Sequence, residues 1–510
     1  MSPVWHHSSR NKGHDYFIYH QKQVKLYLMS KYYVSTSIPY VNGDPHIGFA
    51  MELLYADVLA RWARQKGDEV IFSTGTDEHG GKVAEKAAEQ GLEAKAFADQ
   101  VSQRFRELGE LLNVSNNRFI RTTDPGHEQR AQLIWKKLKK DIYKSKYIGW
   151  YCTGDEAFVT DTEVKANNGV CPAHNRPYEK IEEENYFFKL DKYSDQIIKA
   201  IDSGEFLIVP ETRRNEIMSL LKSGLDDISV SRPKDKIGWG IPVPGDADQV
   251  MYVWFEALMN YITVLGYPEK DDFKQFWPAQ VQVIGKDIIR FHAAIWPAML
   301  MSLKLPLPKQ LYVHSFITVE GKKMSKSLGN VLHPADVVDK YGVDACRYYF
   351  LRHVPSYEDG DFSWQRLEAA YNNELANELG NAVQRTVAMV MNYQAGVVGA
   401  IPAAEHDIAQ YEAALSACRF DRALDEVWEQ VRGLNQYIDE EKPWVIAKSD
   451  DKEHLRDVLA YQVSSLLNIA ELLEPFLPDT AAKIKAVFAG DKVKPTEGTL
   501  FPKHETAKET

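Results

Sequence analysis

The segment from residue 31 to residue 73 restricts the fold more than any other part of the chain. Residues 31–38 are β-branched and aromatic in turn, which predicts a buried strand. Residues 42–45 (Asn-Gly-Asp-Pro) predict a turn, a helix is predicted from about Ala50, and residues 70–73 predict a second strand. This strand–helix–strand unit, with polar loops after its strands, predicts an α/β chain built on a doubly wound parallel sheet. The buried face of its helix is predicted to carry Leu54, Val58 and Trp62.

Two short motifs stand where such a sheet binds nucleotides. The first is residues 45–49 (Pro-His-Ile-Gly-Phe), and the second is residues 321–330 (Gly-Lys-Lys-Met-Ser-Lys-Ser-Leu-Gly-Asn). A helix N-terminus and mobile lysines can stabilise the crowded negative charge of a reacting α-phosphate. In this order the two motifs resemble the HIGH and KMSKS elements of class I aminoacyl-tRNA synthetases, a resemblance that makes His46, Gly48, Lys323 and Lys326 the catalytic candidates.

Four further blocks narrow the resemblance to the methionyl-tRNA synthetase family, and the similarity runs from about residue 31 to the end. The blocks are residues 75–80, 239–244, 252–257 and 284–287. The resemblance implies a Rossmann-like sheet split by an inserted domain, followed by an all-helical anticodon-binding bundle. It also implies a ligase that charges tRNA(Met), the initiator included, with methionine through methionyl-adenylate. The expected substrate is ATP with Mg²⁺, and the products include AMP and pyrophosphate.

The resemblance further implies an ATP site and a methionine site. The ATP-binding residues are expected to be Pro45, His46, Phe49, Gly285, Asp287, Lys323, Met324, Ser325, Lys326 and Ser327. The methionine-binding residues are expected to be Ile38, Tyr40, Asp77, Trp254, Ala257, Tyr261, Ile288 and His292. A carboxylate such as that of Asp77 can hold an α-ammonium group, and aromatic edges suit a thioether sulfur.

The chain departs from the family pattern at two positions. Phe49 stands where the HIGH element has its second histidine, so one imidazole is missing from the expected phosphate site. Phosphate stabilisation is then expected to rest on His46, the two lysines and Mg²⁺. Glu256 stands where the family usually has aspartate, which keeps the charge and adds a methylene.

A possible metal site is expected in the inserted domain. Cys152 and Asp155 form one short pair, and Cys171 and His174 form another. Cys-x-x-Cys with Cys-x-x-His is a tetrahedral zinc pattern, but here the second ligand has to be a carboxylate rather than the usual thiolate. Two interpretations stay open: a site that binds zinc, and a metal-free remnant of such a site that is held by packing alone.

The helical C-terminal part contains three candidate anticodon residues. Asn381 and Arg385 are spaced i, i+4 and share a helix face, and Trp444 follows a proline suited to a helix start. Anticodon bases are unstacked, so aromatic stacking and hydrogen bonds can recognise them. The resemblance assigns these residues to anticodon recognition.

The expected division of the chain follows these patterns. Residues 1–30 are an N-terminal extension without chemistry, and Met29 is the expected natural start. The remaining ranges are 31–145 and 236–330 for the two halves of the catalytic domain, 146–235 for the insert, 331–365 for a stem-contact linker and 366–510 for the helical domain with its polar tail. Residues 311–318 are expected to form one further strand.

Composition and the order of the domains limit which compartment, oligomeric state and alternative functions are expected. A net charge of −11 argues against a broadly basic surface, and four cysteines suit a reducing, cytoplasmic compartment. No further tRNA-binding domain follows the bundle, so a monomer is expected. Another class I synthetase for a small apolar amino acid stays open, although an insert of this size is short for an editing domain. A non-catalytic tRNA-binding paralogue also stays open, encouraged by Phe49 alone.

Overall fold

The fold is described from a computed structural model that covers residues 30–154, 157–172, 175–324, 330–398, 401, 407–494 and 498–503. The strands in chain order are β1 (Lys31–Thr36), β2 (Glu69–Thr76), β3 (Arg118–Arg121), β4 (Ile142–Cys152), β5 (Ala157–Val159), β6 (Val170–Cys171), β7 (Arg176–Pro177), β8 (Glu179–Phe188), β9 (Leu207–Val209), β10 (Ile228–Ser229), β11 (Ser231–Pro233), β12 (Pro242–Val243), β13 (Asp246–Met251), β14 (Val281–Gly285), β15 (Gln310–His314), β16 (Ile317–Val319), β17 (Lys322–Lys323) and β18 (Gly360–Phe362).

Helices lie between these strands and make up most of the chain after β18. They are α1 (Ile47–Gln65), α2 (Gly81–Glu89), α3 (Ala94–Leu111), α4 (Pro125–Leu138), α5 (Asp161–Ala166), α6 (Ser194–Asp202), α7 (Glu211–Lys222), α8 (Lys234–Ile237), α9 (Val253–Ala257), α10 (Asn260–Thr263), α11 (Asp271–Phe276), α12 (Trp296–Leu303), α13 (Pro334–Tyr341), α14 (Val343–Tyr348), α15 (Trp364–Ala370), α16 (Asn381–Gln394), α17 (Ala409–Ser416), α18 (Phe420–Glu441), α19 (Pro443–Ile446), α20 (Lys452–Leu473) and α21 (Pro478–Phe488). Segments of π-helix span Phe291–Ile295, Tyr349–His353 and Tyr371–Gly380.

The predicted parallel sheet is confirmed. Across the described ranges, six strands form it in the order β3-β2-β1-β14-β15-β9, and every neighbouring pair is parallel. The strand order reverses between β1 and β14, so the crevice at the carboxyl ends of these strands is where this type of sheet binds ligands. Separate hydrophobic clusters cover the two faces, one with α1 and α3 and the other with α4 and α12.

Helix α1 is buried around most of its circumference, which explains its apolar sequence. It begins at Ile47, slightly earlier than predicted, with His46 as its N-cap. The predicted face is confirmed, since Leu54, Val58 and Trp62 are all buried. The chain leaves the helix through Gly67, whose φ of 91° suits glycine.

Two strands differ from the expected pattern. The strand predicted at residues 311–318 is divided into β15 in the parallel sheet and β16 in a small sheet with β17 and β18. The chain turns away at Phe316, whose N–H donates to Asp359 Oδ1 at 2.9 Å and whose carbonyl accepts from Gly360 N–H at 2.9 Å. Strand β9, within the range expected for the insert, forms the edge of the parallel sheet beside β15. The rest of that range contributes the antiparallel sheet β10-β8-β4-β5.

One buried arginine joins the parallel sheet to the C-terminal helices. Arg347 on α14 donates to Asp57 Oδ2 of α1 at 2.7 Å and to the carbonyl of Leu112, next to α3, at 3.1 Å. It also donates to the carbonyls of Pro475 and Phe476, between α20 and α21, at 3.0 and 2.6 Å. The guanidinium is therefore satisfied only when all of these segments are in place. No helix in the described ranges combines the length and apolar character that crossing a membrane requires.

Candidate active site

His46 is the N-cap of helix α1, the helix that follows β1 in the chain. Its Nδ1 accepts the N–H of Gly48 at 3.1 Å, so the ring folds across the helix N-terminus. A Cβ at position 48 would lie 2.9 Å from Cε1 of the ring, so a larger residue there would force the imidazole to shift. Helix N-termini favour anions, so an anion could be bound beside this imidazole.

Phe49, the departure from the HIGH element, is packed into the protein. Its ring is buried and meets Phe105 of α3 edge to face, with 5.4 Å between ring centroids. The position that holds an imidazole in the family pattern therefore contributes to the core between α1 and α3.

We expect the Phe49→His variant to trade stability for activity. An added imidazole can stabilise phosphate charge, so the rate of the pyrophosphate-exchange reaction expected from the resemblance should rise by up to about tenfold. Loss of the Phe105 ring contact should cost about 1 kcal/mol and lower the melting temperature by a few degrees. Phe49→Leu is the matched control, because it loses the ring without adding a donor. An exchange rate in Phe49→His no higher than in Phe49→Leu would contradict the expectation.

The lysine motif begins on a hairpin that is firmly anchored. Strand β17 pairs with β16, and the turn between them uses Glu320 and Gly321 with φ of 50° and 73°. The Gly321 N–H and the Thr318 hydroxyl both donate to Asp361 Oδ1, at 2.7 and 2.6 Å. Lys323 is exposed on this hairpin and Met324 is half-buried after it. The predicted ATP-binding residues Ser325, Lys326 and Ser327 lie outside the described residues.

Asp77 is held at the carboxyl edge of the sheet by backbone hydrogen bonds. The Val41 N–H donates to the Asp77 carbonyl at 3.0 Å, and the Asp77 N–H donates to the Pro39 carbonyl at 2.9 Å. These bonds make Tyr40 and Asp77 a bridge between the segments that follow β1 and β2. Only 3% of the Asp77 surface is exposed, so its carboxylate lies in a low-dielectric setting where an ion pair is strong.

Tyr261 and His292 form a buried polar pair beside Ile288, in the segment that follows β14. The His292 Nδ1–H donates to the Ile288 carbonyl at 3.0 Å, which leaves Nε2 to accept the Tyr261 hydroxyl at 2.7 Å. Burial lowers the pKa of His292 to about 4, so this imidazole is neutral at physiological pH. Its place in a π-helical segment is typical of functional positions. The Tyr33 hydroxyl fixes the backbone of Tyr261 by donating to its carbonyl at 3.0 Å.

Apolar and aromatic groups complete this side. Trp254 on α9 stacks on Phe291, with 4.4 Å between ring centroids and an interplanar angle of 18°. Ala257 is buried on the same helix, and Ile38 and Ile288 are half-buried after β1 and β14. Phe291 was missed by the sequence analysis, although it directly precedes the predicted His292. A stacked aromatic pair with small neighbours can line a slot for an unbranched side chain.

A second buried pair, Glu52 and His314, lies near Gly285, which is predicted to bind ATP. This pair was also not identified from the sequence. Glu52 of α1 accepts the Ser37 N–H at 2.5 Å and the His314 Nε2–H at 3.0 Å. Burial opposes the charge of His314, but the Glu52 carboxylate outweighs it and raises the pKa of the imidazole. At Gly285 an added Cβ would lie 2.7 Å from Asp287 Oδ1, so the glycine allows a close approach at the end of β14. Pro45 directly precedes His46, the N-cap of α1.

The predicted zinc ligands are only partly described. Cys152 and Cys171 are both buried and belong to one small cluster with Val164 and Tyr178. Asp155 and His174 lie outside the described residues. Among the residues that are described, no group of three or more histidine, cysteine or acidic side chains is placed to hold a metal ion.

The predicted anticodon residues lie on the surface of the helical region. Trp444 occupies the first turn of α19, after Pro443, and 37% of its surface is exposed. The Arg385 guanidinium lies 5.7 Å from the centre of the Trp444 ring and donates to Asp439 Oδ1 at 2.6 Å. Asn381 is exposed at the start of the same helix as Arg385. A cation and an exposed aromatic face at one surface can receive an unstacked base.

Comparison with known proteins agrees with this arrangement. Residues 32–387 match the family model described as tRNA synthetases class I (M), and residues 399–500 match the anticodon binding domain of methionyl tRNA ligase. The methionine–tRNA ligase of Caldanaerobacter subterraneus subsp. tengcongensis is 44% identical over 470 residues, covering 89% of this chain and 73% of the relative. That of Brucella melitensis is 42% identical over 475 residues, covering 90% and 92%.

A solved structure of the Mycobacterium tuberculosis methionyl-tRNA synthetase in complex with methionyl-adenylate is also similar. It superposes with a TM-score of 0.86 at 37% sequence identity, covering 93% of this chain and all of the other. Matches of this length and identity, in both the sheet and the helical region, identify the family. The chain belongs to the methionyl-tRNA synthetases.

Proposed function

We propose that this protein joins methionine to tRNA(Met), the initiator included, at the expense of ATP. The observation that carries the proposal is the crevice between β1 and β14, where His46 at the N-terminus of α1, buried Asp77 and the Tyr261–His292 pair lie at one edge of the sheet. A phosphate-binding helix start beside an ammonium-binding carboxylate suits an amino acid and a nucleotide held together. The adenylate complex of the Mycobacterium tuberculosis enzyme supports the same reaction here.

The reaction has two steps that need no covalent enzyme intermediate. A carboxylate oxygen of methionine attacks the α-phosphorus of ATP, the bond to the β-phosphate oxygen breaks, and pyrophosphate leaves. A hydroxyl of the terminal tRNA ribose then attacks the acyl carbon, and AMP leaves. Catalysis therefore depends on positioning and on charge stabilisation.

Each part of the proposed site has a defined task. His46, Gly48, Lys323 and Lys326 stabilise the phosphate charge, and bound Mg²⁺ supplies further positive charge to the phosphates. Asp77 holds the α-ammonium, while Trp254 and Ile288 line the slot for the side chain. The neutral His292 fixes the Tyr261 hydroxyl beside the thioether, which gives the slot one oriented polar group.

The proposal also includes the metal site, the anticodon-binding residues and the location that were predicted from the sequence. Two buried thiols in one cluster support a structural zinc held by Cys152, Asp155, Cys171 and His174, and a clearly substoichiometric zinc content would remove it from the proposal. Arg385 beside Trp444 supports anticodon binding, with Asn381 as the third residue. The domain boundaries and the monomeric state stay predictions. A cytoplasmic location is supported by four cysteines without a disulfide.

The test is amino-acid-dependent ATP–pyrophosphate exchange, measured with each of the twenty amino acids and without tRNA. We expect exchange with methionine alone. Exchange with leucine, valine or cysteine instead would assign the chain to another specificity. A folded protein that binds tRNA but exchanges with no amino acid would be a non-catalytic relative.

A further inference from the structure

A buried carboxylate behind the methionine slot bridges two histidines. Glu256 on α9 is completely buried. Its Oε1 accepts His79 Nδ1–H at 2.7 Å, and its Oε2 accepts His127 Nε2–H at 2.9 Å. The hydroxyl of Thr263 lies 2.8 Å from His127 Nδ1 and can donate a hydrogen bond to it. His79, Glu256, His127 and Thr263 form one continuous chain of hydrogen bonds, which we call the Glu256 network.

The Glu256 network joins the segments that carry the proposed methionine-binding residues. His79 lies just after Asp77 in the loop that follows β2. Glu256 lies between Trp254 and Ala257 on α9, and Thr263 lies on α10 with Tyr261. His127 in the first turn of α4 is the link between α9 and α10. The network therefore fixes the ammonium-binding loop against the wall of the side-chain slot.

The buried His79 imidazole is surrounded by carboxylates. Burial disfavours the charged form of His79, but Glu256 at 2.7 Å and Glu128 at 3.6 Å outweigh it and raise its pKa to about 10. Burial also disfavours ionised Glu256, yet His79 and His127 hold its pKa below the ordinary value. The ring of His79 packs against Trp239, with 5.3 Å between centroids. The positive charge of His79 thus lies among the carboxylates of Glu256, Glu128 and Asp77.

From this geometry we infer that Glu256 is a positioning residue for methionine: by bridging His79 and His127 it sets where Asp77 stands relative to Trp254 and Tyr261, and so determines the affinity for the amino acid. The inference rests on the proposed function and deepens it. Glu256 does not touch the substrate. The α-ammonium is bound alike before and during attack on ATP, so a misplaced Asp77 weakens binding more than it slows the chemical step.

The decisive variant is Glu256→Gln, which keeps the shape, removes the charge and replaces one acceptor oxygen with a donor. We expect KM for methionine in ATP–pyrophosphate exchange to rise about 10- to 100-fold. We expect kcat to stay within about threefold and KM for ATP within about twofold. Glu374→Gln is the matched control, because Glu374 also accepts from a histidine, His353 Nε2 at 2.8 Å, but lies in the π-helical segment far along the chain. It should leave KM for methionine unchanged.

The pH profile supplies a readout that a purely structural role would not move. In the natural protein His79 stays charged below its raised pKa, so KM for methionine should be flat from about pH 6 to 8. Without the Glu256 charge, the pKa of His79 falls into or below this range. At low pH its positive charge then offsets Asp77 and competes with the α-ammonium. KM of Glu256→Gln should therefore decrease as the pH rises.

Every outcome decides the inference. A folded Glu256→Gln protein with natural KM, or with kcat reduced and KM unchanged, overturns it. If Glu256→Gln does not fold, Thr263→Val decides, because it removes the hydroxyl at the end of the network, together with its long 3.4 Å contact to the Asn260 carbonyl. It should raise KM for methionine about two- to fivefold, and no rise overturns the inference. A natural protein that exchanges with no amino acid refutes the proposed function instead, and the two failures are thereby distinguished.

Discussion

The Asp77→Asn protein is expected to bind methionine two to three orders of magnitude more weakly than the natural protein. Asp77 is almost fully buried, and its carboxylate is the proposed partner of the α-ammonium. Removing one member of a buried, hydrogen-bonded charge pair costs about 2–5 kcal/mol, since the other charge is left without a partner. Asparagine preserves the size of the side chain, and the bonds to Pro39 and Val41 involve only the backbone, so the loop should keep its path.

Calorimetric titration with methionine measures this loss directly. An analogue that has the thioether but no amino group is the matched probe, because it cannot use the carboxylate and should bind both proteins equally. Equal affinity of both proteins for methionine itself would contradict the assignment. Weaker binding of the analogue as well would mean that the substitution disturbs the side-chain slot.

Lys326→Ala is expected to reduce the rate of methionyl-adenylate formation by about two to three orders of magnitude. Negative charge builds up on the oxygens around the α-phosphorus during attack. A lysine ammonium that interacts more strongly with this charge than with the bound substrates lowers the barrier. Methionine affinity should stay nearly unchanged, because the proposed ammonium and side-chain contacts come from other segments.

Rapid-quench measurement of adenylate formation, with methionine binding measured in parallel, checks both parts of this prediction. Lys322→Ala is the control, because Lys322 is an exposed lysine on β17, next to Lys323, and is not among the proposed ATP-binding residues. A collapse of methionine affinity in Lys326→Ala would show that the lysine loop takes part in amino-acid binding.

The sequence predicted those features that are encoded locally. The first strand, helix α1 and the second strand follow from residue periodicity. The candidate site residues Tyr40 and Asp77 were named only through the resemblance to the family, and they stay predictions. Strand β9 could not be assigned to the parallel sheet, because three residues carry no signal of which sheet they join. The break between β15 and β16 was missed for a related reason, since the β-type pattern runs through it and the cause lies at Asp359.

Interactions between distant segments could not be predicted from one sequence. Glu256 is 177 residues from His79 and 129 from His127, and His314 is 262 residues from Glu52. A buried contact between a carboxylate and a histidine leaves no periodic pattern in the sequence. Each of these residues, taken alone, could equally be an isolated polar residue in the core. The departure at Glu256 was visible, but its two partners depended on how α4, α9 and the loop after β2 pack together.

The hydrogen bonds of Arg347 limit how this protein can be divided or recombined. A fragment ending before α20 would retain the arginine and Asp57 but lose the carbonyls of Pro475 and Phe476, leaving a guanidinium short of acceptors in an apolar interior. Exchanging the helical region with that of a relative therefore requires a donor that brings the same two carbonyls to the same place. For protein engineering, the sheet and the C-terminal helices should therefore be taken from the same parent protein. The junction of a chimera should not separate Arg347 from the carbonyls of Pro475 and Phe476.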